Sequence, residues 1–168
     1  MPTGVGVGLS LYIGGGLNSN PLSISGPQTM TFLDSAQPIN LADYGGNIQF
    51  ADDDTPGTYT VTLDVTDNGV GEGTFTLSGL TGLTGSGNGT DSLSYTGTLS
   101  ALNTAFTDAT LGGQDPENTD IITVDLSKSG GGSVERVIPF YVIFSEWTLL
   151  DGSTKWTLTD GSTPWELL

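Results

Sequence analysis

The chain has 168 residues and a formal charge of −16, carries only Lys128, Arg136 and Lys155 as cations, and contains neither Cys nor His. So few cations exclude nucleic acids and anionic membrane surfaces as partners, because counterion displacement from phosphates needs Lys and Arg. The missing residue types exclude thiol nucleophiles, imidazole bases, zinc sites and disulfides. With 13% charged residues, a 35% hydrophobic fraction and 26 glycines, the composition favours short strands and tight turns over a solvated acidic coil. No apolar run is long enough to span a bilayer, so no membrane insertion is expected.

The first segment alternates with period two. Val5, Val7, Leu9, Leu11 and Ile13 fall on one face and small residues on the other, as in a half-buried strand. Gly14-Gly-Gly16 breaks it, and Asn18 to Pro21 reads as a loop. No Gly-Lys-Ser/Thr follows the glycines, so they do not make a phosphate loop. Met1 to Ile13 also lacks the basic and continuously apolar regions of a signal peptide. The chain is therefore expected to be assembled in the cytoplasm or to be a mature segment behind an added Met. An arm pairing with a neighbouring subunit is the sharper reading of this strand, against a strand packing on its own sheet.

Leu22 to Leu33 predicts a strand pair interrupted by Gly26-Pro27. Further strands are predicted at Tyr59–Val65, Gly73–Leu77, Ser92–Thr96, Ile121–Leu126 and Val134–Phe144, each bounded by Gly, Asn or Asp. Only Thr98–Thr107 has helical spacing, with Leu99, Leu102, Ala105 and Phe106 three and four residues apart. The expected fold is all-β: a two-sheet antiparallel Greek-key sandwich with one short helix, plus a terminal strand arm and a C-terminal meander. Its parts are an N-terminal arm with the first strands over 1–35, the sandwich over 36–145 and a Trp-rich hairpin tail over 146–168. Pro139–Phe144 is almost continuously apolar, as in a central strand buried on both faces. Asp64 and Asp125 fall on the outward phase of their strands.

The tail repeats Trp-Thr-Leu-x-Asp-Gly-Ser-Thr from Trp147 and again from Trp156. Asp-Gly favours a two-residue hairpin turn. Turns at Asp151-Gly152 and Asp160-Gly161 set Trp147 opposite Trp156 and Trp156 opposite Trp165, in one column of indoles. Pro164, which has no N–H, makes the third strand irregular. A meander this small needs a surface to dock on, either its own sandwich or a neighbour.

Residues 47–132 resemble the cadherin-like, immunoglobulin-type repeats of large bacterial surface adhesins. The residues carrying the likeness are Ala51-Asp-Asp-Asp54, Tyr59-Thr-Val-Thr-Leu-Asp-Val65 and Gly73-Thr-Phe-Thr-Leu77. Leu83 to Thr90, Leu93 to Asn103 and Asp120 to Leu126 continue it. The phrase Gly97-Thr-Leu-Ser-Ala-Leu-Asn103 is its most specific piece. The resemblance implies a Greek-key sandwich used for display, spacing or adhesion, without catalysis. It also implies a calcium cluster, in which Asp52 and Asp54 would be the first ligands. The chain departs from the pattern at Ser127-Lys128, where a second acid is expected. A lysine there would supply its own charge in place of a cation. A solvated acidic turn, with no cofactor, is the preferred expectation for Asp52–Asp54.

These features predict a non-catalytic structural protein of a virion, of the phage capsid-decoration or tail-appendage type. The tail repeats resemble the terminal repeats of phage appendage proteins. The expected assembly contacts are Val5, Val7, Leu9 and Leu11 in the arm and Trp147, Trp156 and Trp165 in the tail. Partners would be other virion or surface-assembly proteins, or further copies of the chain, and the location the virion. The alternative is an extracellular or cell-surface module of a secreted adhesin or surface layer, with calcium bound. A third reading presents the tryptophans to glycan.

Overall fold

The alternation at Tyr59–Val65 is the pattern on which the larger of two facing sheets is built. A computed structural model describes residues 22–53, 56–66, 73–113, 119–144, 146–148 and 155–157, the last two spans by backbone alone. In chain order the strands are β1 (Ser23–Ser25), β2 (Met30–Leu33), β3 (Ile39–Asn40), β4 (Gln49–Ala51), β5 (Tyr59–Thr66), β6 (Thr74–Thr76), β7 (Thr84–Ser86) and β8 (Ser92–Gly97). A helix, α1 (Leu99–Phe106), comes next, followed by β9 (Thr110–Gly112), β10 (Thr119–Lys128), β11 (Ser133–Ile143), β12 (Glu146–Thr148) and β13 (Lys155–Thr157).

The larger sheet has the order β2-β11-β10-β5-β8-β7, and the opposing layer holds β3-β9-β6 with the pair β1-β4 beside it. The result is an all-β sandwich whose neighbouring strands are often not neighbours in sequence. Between β5 and β10 the chain passes repeatedly from one sheet to the other, carrying α1 across with it. The pairing is antiparallel except between β2 and β11, which run parallel. The strands of Leu22–Leu33 therefore do not form a pair with each other. Gly26 takes a φ of 152° and turns the chain between layers, so that β1 joins β4 while β2 becomes the edge of the larger sheet.

One core fills the space between the layers. Val61 and Leu63 of β5, Leu93 and Tyr95 of β8, Val124 and Leu126 of β10, and Ile138 and Phe140 of β11 point into it. From the other layer come Phe50, Phe75, Leu111 and, on α1, Leu102, Ala105 and Phe106. Phe106 meets Phe50 edge-on at 4.9 Å between ring centroids, while Phe32 and Phe140 stack at 5.9 Å. Burial of this apolar face, at about 25 cal/mol per Å², is the main force holding the layers together.

The helix is short because its ends are chemically marked. Thr98 caps it, its Oγ1 accepting from the Ala101 N–H at 3.2 Å. Beyond Thr107, Asp108 adopts a φ of 56°, outside the helical range, and donates its N–H to Asn47 Oδ1 at 3.2 Å. Asn103 reaches across to β4, accepting from the Phe50 N–H at 2.8 Å and donating to the Phe50 carbonyl at 2.9 Å. The side-chain amide thus does for β4 what a neighbouring strand would do. Thr98, Leu102 and Asn103 all lie in the phrase that carries the adhesin-repeat resemblance.

Candidate functional site

Asp52, the first of the two acids considered for calcium, leaves β4 and turns toward the end of the larger sheet. Its side chain is 3% exposed, and the expectation of a solvated turn is corrected at this residue. Tyr59 opens β5 and Lys128 closes β10, and the two are cross-strand partners. That register brings both onto the same carboxylate oxygen. Tyr59 Oη donates to Asp52 Oδ2 at 2.7 Å, and Lys128 Nζ donates to it at 2.8 Å. The ammonium also lies 5.8 Å from the centre of the Tyr59 ring, within cation–π range. Burial, then the neighbouring Asp52 carboxylate, raises the Tyr59 phenol above its ordinary value. A Cβ at Gly57 would lie 3.0 Å from both Lys128 Cε and Tyr59 Oη, so a larger residue there would press on the two side chains that hold Asp52. The arrangement pins the β4 exit to the β5–β10 sheet end. Asp54 lies outside the described residues.

The second described cation is also engaged internally. Arg136 on β11 donates through Nη2 to the Gly26 and Pro27 carbonyls at 2.8 and 2.7 Å. It holds the turn between β1 and β2 against β11. A guanidinium suits this role because its fixed fork satisfies adjacent carbonyls together.

The outer face of the larger sheet is mostly hydroxyl-bearing. Thr60 and Thr96 are cross-strand partners whose Oγ1 atoms lie 2.8 Å apart, and Thr62, Ser94 and Thr123 continue the surface. Asp64 and Asp125 face outward, as their strand phase predicted, and Asp125 stands directly opposite Glu135. Asp120, by contrast, has the inward phase of β10 and is fully buried. The boundary chosen for that strand, at Ile121, left Asp120 outside the period-two count.

β11 breaks the polar surface. It is one strand in from the sheet edge, and its outward residues Val137, Tyr141 and Ile143 are 47%, 43% and 43% exposed. This corrects the expectation of a strand buried on both faces. The inner face, with Ile138, Phe140 and Val142, is in the core, while among the described residues no second layer covers the outer one. Pro139 lies between the exposed residues, opposite Ile121 on β10, and Leu33 stands beside Ile143 on β2. Together they form an apolar strip on an otherwise hydroxyl-rich surface. A continuous apolar run showed that β11 would be hydrophobic, but run length alone does not say how many layers cover it.

Of the residues expected to make assembly contacts, Trp147 and Trp156 are cross-strand partners in the β12–β13 pair. This is the register the Asp151-Gly152 turn predicted, and β12 starts three positions after β11 ends. Val5, Val7, Leu9, Leu11 and Trp165 lie outside the described residues. No helix among the described residues is long and apolar enough to cross a membrane. No family model, curated protein or solved structure matches the chain.

Proposed function

We propose that the chain is a non-catalytic structural protein of a virion, of the capsid-decoration or tail-appendage type. It docks through its termini and displays the β-sandwich. The observation that carries this reading is the concentration of apolar surface on β11, directly before the Trp147–Trp156 hairpin. Exposed apolar surface that is contiguous, within an acidic and hydroxyl-rich molecule, favours a contact with another protein. Lys128 and Arg136 are both committed to internal carboxylate and carbonyl oxygens, which disfavours phosphate as the partner. The same termini could serve a surface-layer or adhesin module. The virion reading is preferred because Lys128 occupies the carboxylate that the adhesin pattern would give to calcium.

The test is a truncation ending at Ser145, compared with the full chain for melting behaviour and for incorporation into particles assembled in the producing cell. Unchanged folding with lost incorporation supports the reading. Equal incorporation, or absence of the full chain from particles, overturns it.

A further inference from the structure

We infer that the apolar strip on β11, Val137-Pro139-Tyr141-Ile143, receives the Gly4–Ile13 segment of a neighbouring copy. The inference rests on the proposed docking through the termini and is independent of which particle is built. Among the described residues nothing covers the strip, where Val137, Tyr141 and Ile143 keep 43–47% of their surface exposed.

Charge selects the occupant. The body of a second copy would bring Asp64, Asp125 and Glu135 of both sheets together, within chains that each carry −16. Like charges in that position oppose stacking. The tail is also acidic, with Glu146, Asp151, Asp160 and Glu166 against Lys155. Residues 1–33, however, contain no charged side chain, and this is the longest such stretch in the sequence. Only this segment approaches the strip without electrostatic cost.

Dimensions agree with the assignment. From Val137 to Ile143 the strip is about 20 Å long, and Val5 to Ile13 would span about 27 Å at strand rise. Apolar side chains recur every second residue in both. Gly14–Pro21 can extend to roughly 26–29 Å, enough to bridge two bodies while keeping their acidic surfaces apart.

The point of entry favours a neighbour over the same chain. Leu22 packs against the core, and its Cδ1 lies 3.6 Å from where a Gly132 Cβ would stand, just before β11. The strip lies on the opposite face of the sheet. A chain's own arm would have to wrap around the β2 edge, whereas a neighbour's arm can lie along the face directly.

The native absence of Cys makes a direct test possible. Full-length Leu9→Cys and Tyr141→Cys chains are purified separately, mixed and oxidised, with Ile143→Cys as a second acceptor and Ser94→Cys on β8 as the control. Each variant is used only with a wild-type melting profile, and two acceptors guard against one of them misfolding. Docking raises the local concentration of the paired thiols, so the mixed disulfide should exceed the Ser94→Cys control by about tenfold or more. Equal yields with Ser94→Cys, or no bond to either acceptor, overturn the inference. A chain carrying both Leu9→Cys and Tyr141→Cys that closes only on itself also overturns it, because the arm then serves its own sheet. An intermolecular bond stands even if the particle experiment fails, so the two readings fall separately.

Discussion

Lys128 Nζ lies 2.8 Å from Asp52 Oδ2, and the two side chains are 18% and 3% exposed. The ion pair closes the end of the larger sheet over the exit of β4. Lys128→Ala would take the ammonium away from the buried Asp52 carboxylate while keeping the Tyr59 hydrogen bond. A loss of about 2–3 kcal/mol is expected, below the full cost of breaking a wholly buried pair because the lysine is partly solvated. Urea denaturation of the two proteins measures it.

The same contact bears on calcium. With Lys128 in place, millimolar calcium or EDTA should leave the melting temperature nearly unchanged, since a tightly bound ion would stabilise the fold by mass action. A large rise with calcium that disappears in Asp52→Ala would show that the ion displaces the lysine.

Tyr59 makes alkaline stability sensitive to pH. Its phenol is raised above 10.0 by burial and by Asp52. Above pH 10 the unfolded chain therefore loses this proton while the folded chain keeps it. Stability from this group is complete below pH 10 and declines as the pH rises toward the folded value. Tyr59→Phe should flatten that decline and be less stable at neutral pH, where the hydrogen bond to Asp52 is lost. Urea melts between pH 8 and 11, compared for the two proteins, provide the check.

Asn103 substitutes for a strand beside Phe50. Asn103→Ala should cost about 2 kcal/mol, because it leaves both a backbone donor and a backbone acceptor unsatisfied in a partly buried place. Asn103→Asp should not recover the loss, since a carboxylate accepts from the Phe50 N–H but repels its carbonyl. Equal stability of wild type and Asn103→Ala in urea would show that water replaces the amide.

Gly85 sets the closeness of the β7–β8 edge. A Cβ there would stand 2.0 Å from the Ser94 carbonyl oxygen and 2.8 Å from Tyr95 Cα, both backbone. Gly85→Ala should destabilise by about 1–3 kcal/mol through displacement of β7. Gly79→Ala, where nothing lies within 4 Å, should be close to neutral. Thermal melts of the two variants separate the local clash from a general effect of removing glycine.

Glu135 and Asp125 are directly opposed on neighbouring strands. Like charges in that relation destabilise a sheet, so Glu135→Lys should raise stability by about 0.5 kcal/mol, with the gain shrinking in high salt. A salt-independent change would point to a cause other than charge.

Local pattern alone determined the strand character of Tyr59–Val65, Ser92–Thr96 and Ile121–Leu126, the helix near Thr98–Thr107, and the Trp147–Trp156 register. In each case the information lies within a few residues: period-two burial, a Thr cap with three-and-four spacing, or a two-residue turn that sets the pairing on either side. What only the tertiary structure decided are relations between distant segments. The parallel seating of β2 against β11 and the grip of Asn103 on Phe50 are two of these. The bare outer face of Val137, Tyr141 and Ile143 is a third, because an apolar strand reads the same whether one layer or two will cover it. Asp52 shows the same division. Its sequence neighbours Asp53 and Asp54 suggest an acidic turn in water, but its environment is set by Lys128, 76 positions away, and by the β5–β10 register that delivers the ammonium to it.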